Sequence, residues 1–530
     1  MMPEGGMRLH DALFYHAREQ PDAEFAVQGA RRLSYAAARD AVCRIANALL
    51  AAGVRPGERA ALLAKNCLEY PLCYYGASLA GVALVPVNYR LAPPEVAHVL
   101  ADSEAALVIA GREYTATIDG IAADLPLLRR RIVLAEAPPV GWEAFAGWIA
   151  AQPATPPAVE VTPDCDLYQM YTSGTTGRPK GAVITQGAVQ ANLAQIKLGL
   201  DLRRGDRSLV VAPLFHAAAV FTTFSVVQIG GSLVLHEEFE PTRVLRALRE
   251  ERIAYAVLVA AMLLACLNTA GETPLSFPDL RLILYGASPI TAETLRRAAA
   301  FFGCGFQQAY GMTEATVAVS FLSPADHTLA LSERPELLLS AGRPVAGTEV
   351  RVVDAAGRPL PPGQTGEIAV RGPQLMRSYW RLAEATAEAL RDGWLHTGDA
   401  GMIDQDAYLY VQDRVKDMIV SGGENIYPRE VEDALMQHPA VADAAVIGVP
   451  DARWGETVKA ILVRRADIEI AEEALAAEIT GFCRKRLAGY KLPRSIEFRA
   501  ELPRNASGKV LKRELREPYW ARQARRVAGA

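Results

Sequence analysis

Up to about residue 350 the chain repeats one pattern, a short β-branched or aliphatic run followed by a longer stretch with apolar residues at helical spacing. The runs AALLAK, VALVPV, AALVIA, SLVVAP, SLVLHE and RLILYGA are too short for helices and are separated by segments long enough to be crossovers. Strands joined by helical crossovers run parallel and carry the helices on their faces. SYAAARDAVCRIANALLAAG is one such crossover: Ser34 is placed to cap it, Val42, Ile45 and Leu49 share a face, and Gly53 ends it. TAETLRRAAAFFG is another, opening at Thr291 and closing at Gly303 directly after the run LRLILYGA. The fold class is therefore α/β with layered sheets. With 530 residues and roughly 150 per domain, three or four domains or subdomains are expected.

From Val350 to about Val411 the pattern changes to short strands separated by DAAGRP, PPGQTG and RDGW, an antiparallel β region. After Arg414 a small α+β unit follows: helix PREVEDALMQ, strands AAVIGV and VKAILVRR, helix EEALAAEITGFCRKRL and strand RSIEFR. The basic tail KRELREPYWARQARR reads as a solvated terminal helix, with weak contact to an anionic membrane as its alternative. The longest apolar run, Ile253 to Leu267, is too short to span a bilayer, and no apolar leader opens the chain. The seven cysteines contain no C-x-x-C pair, so neither a disulfide framework nor a thiolate zinc site is indicated. An unexported, cytoplasmic protein is the expectation. A net charge of −4 supplies no field for polyanions, which argues against nucleic acid as a partner.

The most informative stretch is YTSGTTGRPKG, from Tyr171 to Gly181. Gly174 and Gly177 let backbone N–H groups converge on an anion, while Thr172, Ser173, Thr175 and Thr176 add hydroxyl donors and Lys180 adds charge. It is not the loop of ordinary P-loop NTPases, because Lys180 stands between Pro179 and Gly181. GCGFQQ, from Gly303, follows a helix and lacks a third glycine, so it is not a dinucleotide fingerprint.

Three further segments follow in order: YGMTE (310–314), HTGD (396–399) and PRNASGKVLKRELR (503–516). With the loop they resemble the adenylate-forming superfamily of acyl-CoA synthetases, adenylation domains and luciferases, over nearly the whole chain. SGGENIYPREVE and YKLPRSIEF look most like bacterial fatty-acyl-CoA and aryl-CoA ligases. The resemblance implies a large AMP-binding domain over 1–415, a small mobile domain over 417–530 and a hinge at about Lys416. It also implies ATP, Mg²⁺ and coenzyme A as cofactor and co-substrates, with a carboxylic acid as substrate and nucleophile. This agrees with the absence of an evident Ser-His-Asp or Cys-His arrangement, since positioning and charge stabilisation suffice.

Carried over residue by residue, Thr313 and Glu314 match the pair that contacts the α-phosphate and coordinates the magnesium ion. Tyr310 flanks the adenine on one side, and Gly286, Ala287 and Ser288 are its backbone strip on the other, or else an ordinary strand-to-helix turn. Asp399 matches the carboxylate that accepts from the ribose hydroxyls, with Arg414 on the same sugar. Lys509 matches the lysine that meets the reacting oxygens during adenylation. Gly422 and Gly423 match the loop beside the pantetheine tunnel, or are a plain hairpin turn. His216 has the position at the mouth of the acyl pocket, where a packed core histidine is an equal reading; Ala217, Ala218 and Ala219 after it are small. An acid–CoA ligase for medium- or long-chain fatty acids is the expectation. An aryl-acid ligase or an adenylation enzyme loading a carrier protein is the alternative, and monomer and homodimer both stay open.

Overall fold

The computed structural model describes residues 6–172, 179–271, 275–286, 290, 292–414, 417–421, 424–451, 453–465, 468, 470–504 and 510–527. By internal contacts the chain divides into two units, 1–350 with 370–395, and 351–369 with 396–530. The antiparallel β region after Val350 thus falls largely in the second unit. Lys416, the expected hinge, lies outside the described residues.

Two sheets make up most of the first unit, as the alternating runs predict. One has the strand order Ser378–Tyr379, Lys180–Thr185, Asp166–Thr172, Ala83–Pro86, Arg59–Leu63, Leu107–Gly111, Arg130–Leu134 and Glu143–Ala144. It is parallel from Asp166–Thr172 onward and antiparallel at its first two pairings. The other runs Arg343–Pro344, Ser320–Leu322, Gly305–Tyr310, Leu282–Gly286, Tyr255–Val257, Arg207–Val210, Ser232–Leu235, Glu24–Gln28 and Arg31–Ser34, parallel in the middle and antiparallel at both edges. Parallel strands buried on both faces need near-continuous apolar sequence, and Arg59–Leu63, Ala83–Pro86 and Leu107–Gly111 are buried at every position.

The crossover Tyr35–Ala51 forms as its spacing predicts. Ser34 Oγ accepts from Ala37 N at 3.3 Å, and Ala38, Val42, Ile45 and Leu49 are all buried. Each large aliphatic side chain of that face contributes roughly 1.5–3 kcal/mol by leaving water. Gly53, at φ +81°, turns the chain out of the helix in the left-handed region. The second crossover is the helix Ala292–Phe302; its expected cap, Thr291, lies outside the described residues. The apolar run Ile253 to Leu267 divides into the strand Tyr255–Val257 and the helix Ala260–Ala270. Among the described residues no helix is long and apolar enough to cross a membrane.

In the second unit, Trp394–Ile403 and Leu409–Arg414 pair antiparallel. Beyond them Val441–Asp451 and Gly455–Arg464 form a long antiparallel pair, with Ser495–Phe498 parallel to the latter and helices Pro428–Met436 and Glu472–Arg484 packed on one face. The tail helix Lys512–Val527 exposes Arg513, Glu514, Glu517 and Pro518, as a solvated helix does, but its other side is docked. Leu515 is fully buried against Ala445, Ile447 and Ile461, Tyr519 OH donates to Glu497 Oε2, and Trp520 Nε1 donates to Gly448 O at 3.1 Å. Basic residues dominate its composition, but one apolar and aromatic stripe covers the second face of the sheet.

Candidate active site

The strands Asp166–Thr172 and Lys180–Thr185 pair antiparallel, with Thr172 opposite Lys180, so the glycine- and hydroxyl-rich segment is the connection of a hairpin. Ser173, Gly174, Thr175, Thr176 and Gly177 lie outside the described residues. The stem is held from beneath by a buried polar chain. Arg59 Nε donates to Gln169 Oε1 at 3.1 Å, Gln169 Nε2 to Tyr171 OH at 2.9 Å, and Tyr171 OH to Asp102 Oδ2 at 2.6 Å. Arg59 also donates to Asp166 at 2.9 Å, and its guanidinium lies 3.5 Å from the ring centroid of Trp380. A charge as buried as Arg59 is tolerable only when paired and hydrogen-bonded in this way.

The segment YGMTE follows the strand Gly305–Tyr310 and makes a short 3-10 turn over Thr313–Ala315. The turn is tight: a Cβ on Gly311 would lie 1.5 Å from Val317 O. Thr316 sits at φ +64°, uncommon for a β-branched residue, and its buried Oγ1 donates to Gln374 O at 2.5 Å. Such a backbone costs on the order of 1–3 kcal/mol and persists only where its surroundings enforce it. The enforcement is a buried amide network: Asn192 exchanges two 3.1 Å bonds with the backbone of Ala318, Gln195 donates to Gln374 at 3.1 Å, and Gln374 donates to Thr348 at 2.6 Å. The result is a buried Glu314, 6% exposed, whose Oε1 accepts from Thr172 Oγ1 at 3.2 Å and from Tyr379 OH at 2.8 Å. Thr172 and Glu314, far apart in sequence, thus meet.

Gly286 ends one parallel strand and pairs with Ala309, next to Tyr310 at the end of the adjacent strand. A Cβ on Gly286 would lie 2.5 Å from Ala309 O, so only glycine permits this approach. Ala287 and Ser288 lie outside the described residues. Carboxyl ends of parallel strands are where open α/β sheets bind ligands. His216 comes after another of these strands and precedes the helix Ala217–Gln228. Its Nε2 is shielded from solvent and has no hydrogen-bond partner among the described residues, and its ring lies 4.4 Å from that of Phe215. Burial, aided by the charge of Arg90, pushes its pKa down to about 4, so the imidazole is neutral near pH 7. Ala217 is half-buried, Ala218 exposed and Ala219 buried.

In the second unit HTGD lies on the strand Trp394–Ile403. His396 Nδ1 is 2.8 Å from Glu367 Oε2, Gly398 N donates to Glu367 Oε1 at 3.1 Å, and Thr397 Oγ1 donates to Ile368 O at 2.8 Å. Asp399, 7% exposed, pairs across the ladder with Arg414, which makes the two neighbours. Gly422 and Gly423 lie outside the described residues, between the paired strands Ile419–Ser421 and Glu424–Ile426; Lys509 lies outside them too.

Sequence reasoning passed over Tyr379, Glu367 and the Asn192–Gln195–Gln374 network. Each acts across a long sequence separation, 65 residues for Tyr379 to Glu314 and 179 for Gln195 to Gln374, where no periodicity or motif spacing reaches.

A magnesium ion held by a dedicated protein cage has no counterpart here, since no group of three or more His, Cys, Asp or Glu comes together among the described residues. A single buried carboxylate, Glu314, beside the glycine- and hydroxyl-rich hairpin fits the other way of holding Mg²⁺, by one or two carboxylates plus the phosphates of a nucleotide.

The sequence matches the AMP-binding enzyme pattern over residues 13–380 and that of the AMP-binding enzyme C-terminal domain over 430–509. A feruloyl-CoA synthase of Amycolatopsis sp is 42% identical over 504 residues, 95% of this chain and 97% of that protein. A long-chain-fatty-acid–CoA ligase of Mycobacterium tuberculosis is 38% identical over 497 residues, 92% and 94% of the two. The solved anthranilate CoA ligase in complex with anthranoyl-AMP superposes with a TM-score of 0.87 at 29% identity, covering 97% of each chain. The chain belongs to the AMP-binding enzyme family and, as an AMP-forming acid–thiol ligase, to the adenylate-forming superfamily.

Proposed function

We propose that the chain joins a medium- or long-chain fatty acid to coenzyme A at the expense of ATP. In the first step a carboxylate oxygen attacks the α-phosphorus, forming acyl-AMP as the bond to pyrophosphate breaks. In the second the thiol sulfur attacks the acyl carbon, AMP departs with the electron pair and the thiol proton passes to solvent.

The chain's own residues divide this work. The hairpin of Thr172, Ser173, Gly174, Thr175, Thr176, Gly177 and Lys180 receives the phosphates, Tyr310 and the Gly286–Ala287–Ser288 strip take the adenine, and Asp399 with Arg414 takes the ribose. Thr313 would contact the α-phosphate, and Glu314 would hold a magnesium ion, which when bound would neutralise phosphate charge. Lys509 stabilises the reacting oxygens in the first step. A pivot at about Lys416 then brings Gly422 and Gly423 to the pantetheine arm. The seven cysteines, without a C-x-x-C pair, support a reducing cytoplasm as the chain's compartment.

The fatty-acid reading rests on one observation: the small residues Ala217, Ala218 and Ala219 follow directly on His216, and Ala218 is open. A neutral imidazole whose Nε2 has no partner among the described residues could offer one hydrogen bond to a carboxylic acid, and the short alanine side chains beside it would suit an apolar chain. A second reading, a phenylpropanoid acid, is favoured by the 42% identity to a feruloyl-CoA synthase.

Pyrophosphate release across fatty acids of graded length and hydroxycinnamic acids, with and without coenzyme A, separates the two. The fatty-acid reading expects the highest kcat/KM with medium or long chains and acceleration by coenzyme A. Highest activity with ferulic acid would replace it. Ala218→Trp is expected to move the preference toward shorter acids by at least tenfold, since an indole costs far more room than the methylene worth 10–200-fold in an apolar pocket. An unchanged chain-length profile would remove this segment from the pocket.

A further inference from the structure

Glu314 takes both of its hydrogen bonds on one oxygen: Tyr379 OH at 2.8 Å and Thr172 Oγ1 at 3.2 Å reach Oε1, and among the described residues none reaches Oε2. The terminal torsion of a glutamate is broad and roughly two-fold when nothing holds it. Two donors on one oxygen fix the plane of the carboxylate and reserve the other oxygen for a ligand.

The same tyrosine carries an opposite charge on its ring. Lys180 Nζ lies 5.1 Å from the Tyr379 centroid, within the range of a cation–π contact. Lys180 and Glu314 therefore flank one side chain, and among the described residues no ion pair joins them. Closed on each other, they would neutralise the two groups that a magnesium nucleotide has to meet. Tyr379 is well placed to keep them apart because its backbone belongs to the same sheet as the hairpin. Tyr379 pairs with Ala182, Trp380 N donates to Gly181 O at 2.8 Å, and the Trp380 ring is fixed under Arg59.

We propose that Tyr379 is a positioning residue for the phosphate end of the site, its hydroxyl aiming Glu314 Oε2 at the metal and its ring holding Lys180 toward the phosphates. This rests on the reading of Glu314 as the metal carboxylate. It assigns the two halves of one side chain to two separable tasks.

The test is calorimetric titration of the full-length chain with ATP, once with excess MgCl2 and once with EDTA. It compares the wild type with Tyr379→Phe, Tyr379→Leu and Glu314→Gln, each checked for an unchanged melting curve. Tyr379→Phe keeps the ring and is expected to bind metal-free ATP within twofold of wild type while losing about tenfold of the affinity gained with Mg²⁺, the scale of one hydrogen bond to a charged group. Tyr379→Leu is expected to lose that gain and, in addition, about threefold in metal-free ATP affinity, because Lys180 loses its ring. A Tyr379→Phe variant with the wild-type magnesium gain overturns the hydroxyl's role, and equal metal-free affinities for Phe and Leu overturn the ring's. If Glu314→Gln keeps the full magnesium gain, the metal reading itself fails. That outcome is distinct from failure of Tyr379→Phe alone. Should the leucine variant melt early, Tyr379→Phe still decides the hydroxyl's role and Tyr379→Trp, which keeps an aromatic face, decides the ring's by whether metal-free ATP affinity is retained.

Discussion

Buried histidines are expected to make the stability of this chain depend on acid. Burial pushes His10 down to about 4 against the attraction of Asp11, and it pushes His216 down to about 4 as well. In the unfolded chain both titrate near 6.5. Between those values the unfolded state binds protons that the native state refuses, so stability is full above about pH 6.5 and is lost as pH falls toward 4. His16, His236 and His327, also lowered chiefly by burial, act with the same sign. The melting temperature is therefore expected to drop between pH 7.5 and 5.5, and His10→Asn, which can keep the 2.9 Å contact from Nδ1 to Ser78, is expected to shrink the drop. An identical drop in the variant would clear His10. At this scale part of the candidate site was legible in the sequence. Thr172, Lys180 and Glu314 stand in motifs whose residue types state their chemistry, and the structure brings Thr172 to Glu314. Tyr379 was not legible, since a lone tyrosine in MRSYW carries no such statement until folding sets it between two charges.

Among the elements, the turn after the strand Gly305–Tyr310 concentrates the conformational cost, with Gly311 pressed on Val317 O and Thr316 in the left-handed region. Gly311→Ala is expected to destabilise by ~1–3 kcal/mol, as overpacking does, and to lower adenylation more than the stability loss accounts for, because the turn carries Glu314. Thermal melts and pyrophosphate release at a temperature where the variant is fully folded check this; normal activity in the folded variant would show that the turn relaxes without moving Glu314. The crossovers were readable because Ser34 and the Val42–Ile45–Leu49 face obey local rules. The docked side of the tail helix was not: one lysine and five arginines mask the stripe of Leu515, Tyr519 and Trp520, whose partner sheet lies far back in the sequence. The run from Ile253 was ambiguous for a different reason, since a continuous apolar stretch fits a buried strand and a buried helix alike, and here it is both.

Two half-reactions on one chain require two states of the molecule, one for each. A pivot at Lys416 must be absorbed by a few backbone dihedrals, and proline fixes one of them near −65°. Lys416→Pro is expected to make acyl-AMP at near wild-type rate and to transfer it to coenzyme A at least tenfold more slowly, with an unchanged circular dichroism spectrum and melting curve. Normal rates in both halves would move the pivot to Val415 or Asp417. Mass spectrometry of a quenched single turnover tests whether a free carboxylate is first adenylated and only then thioesterified. Enzyme in excess is mixed with ATP and a long-chain fatty acid, and coenzyme A is added only after a delay. The account predicts that acyl-AMP accumulates in step with pyrophosphate before the addition and decays afterwards as acyl-CoA and AMP rise in equal amounts. Acyl-CoA formed with no acyl-AMP beforehand, or ADP and phosphate in place of AMP and pyrophosphate, would contradict it.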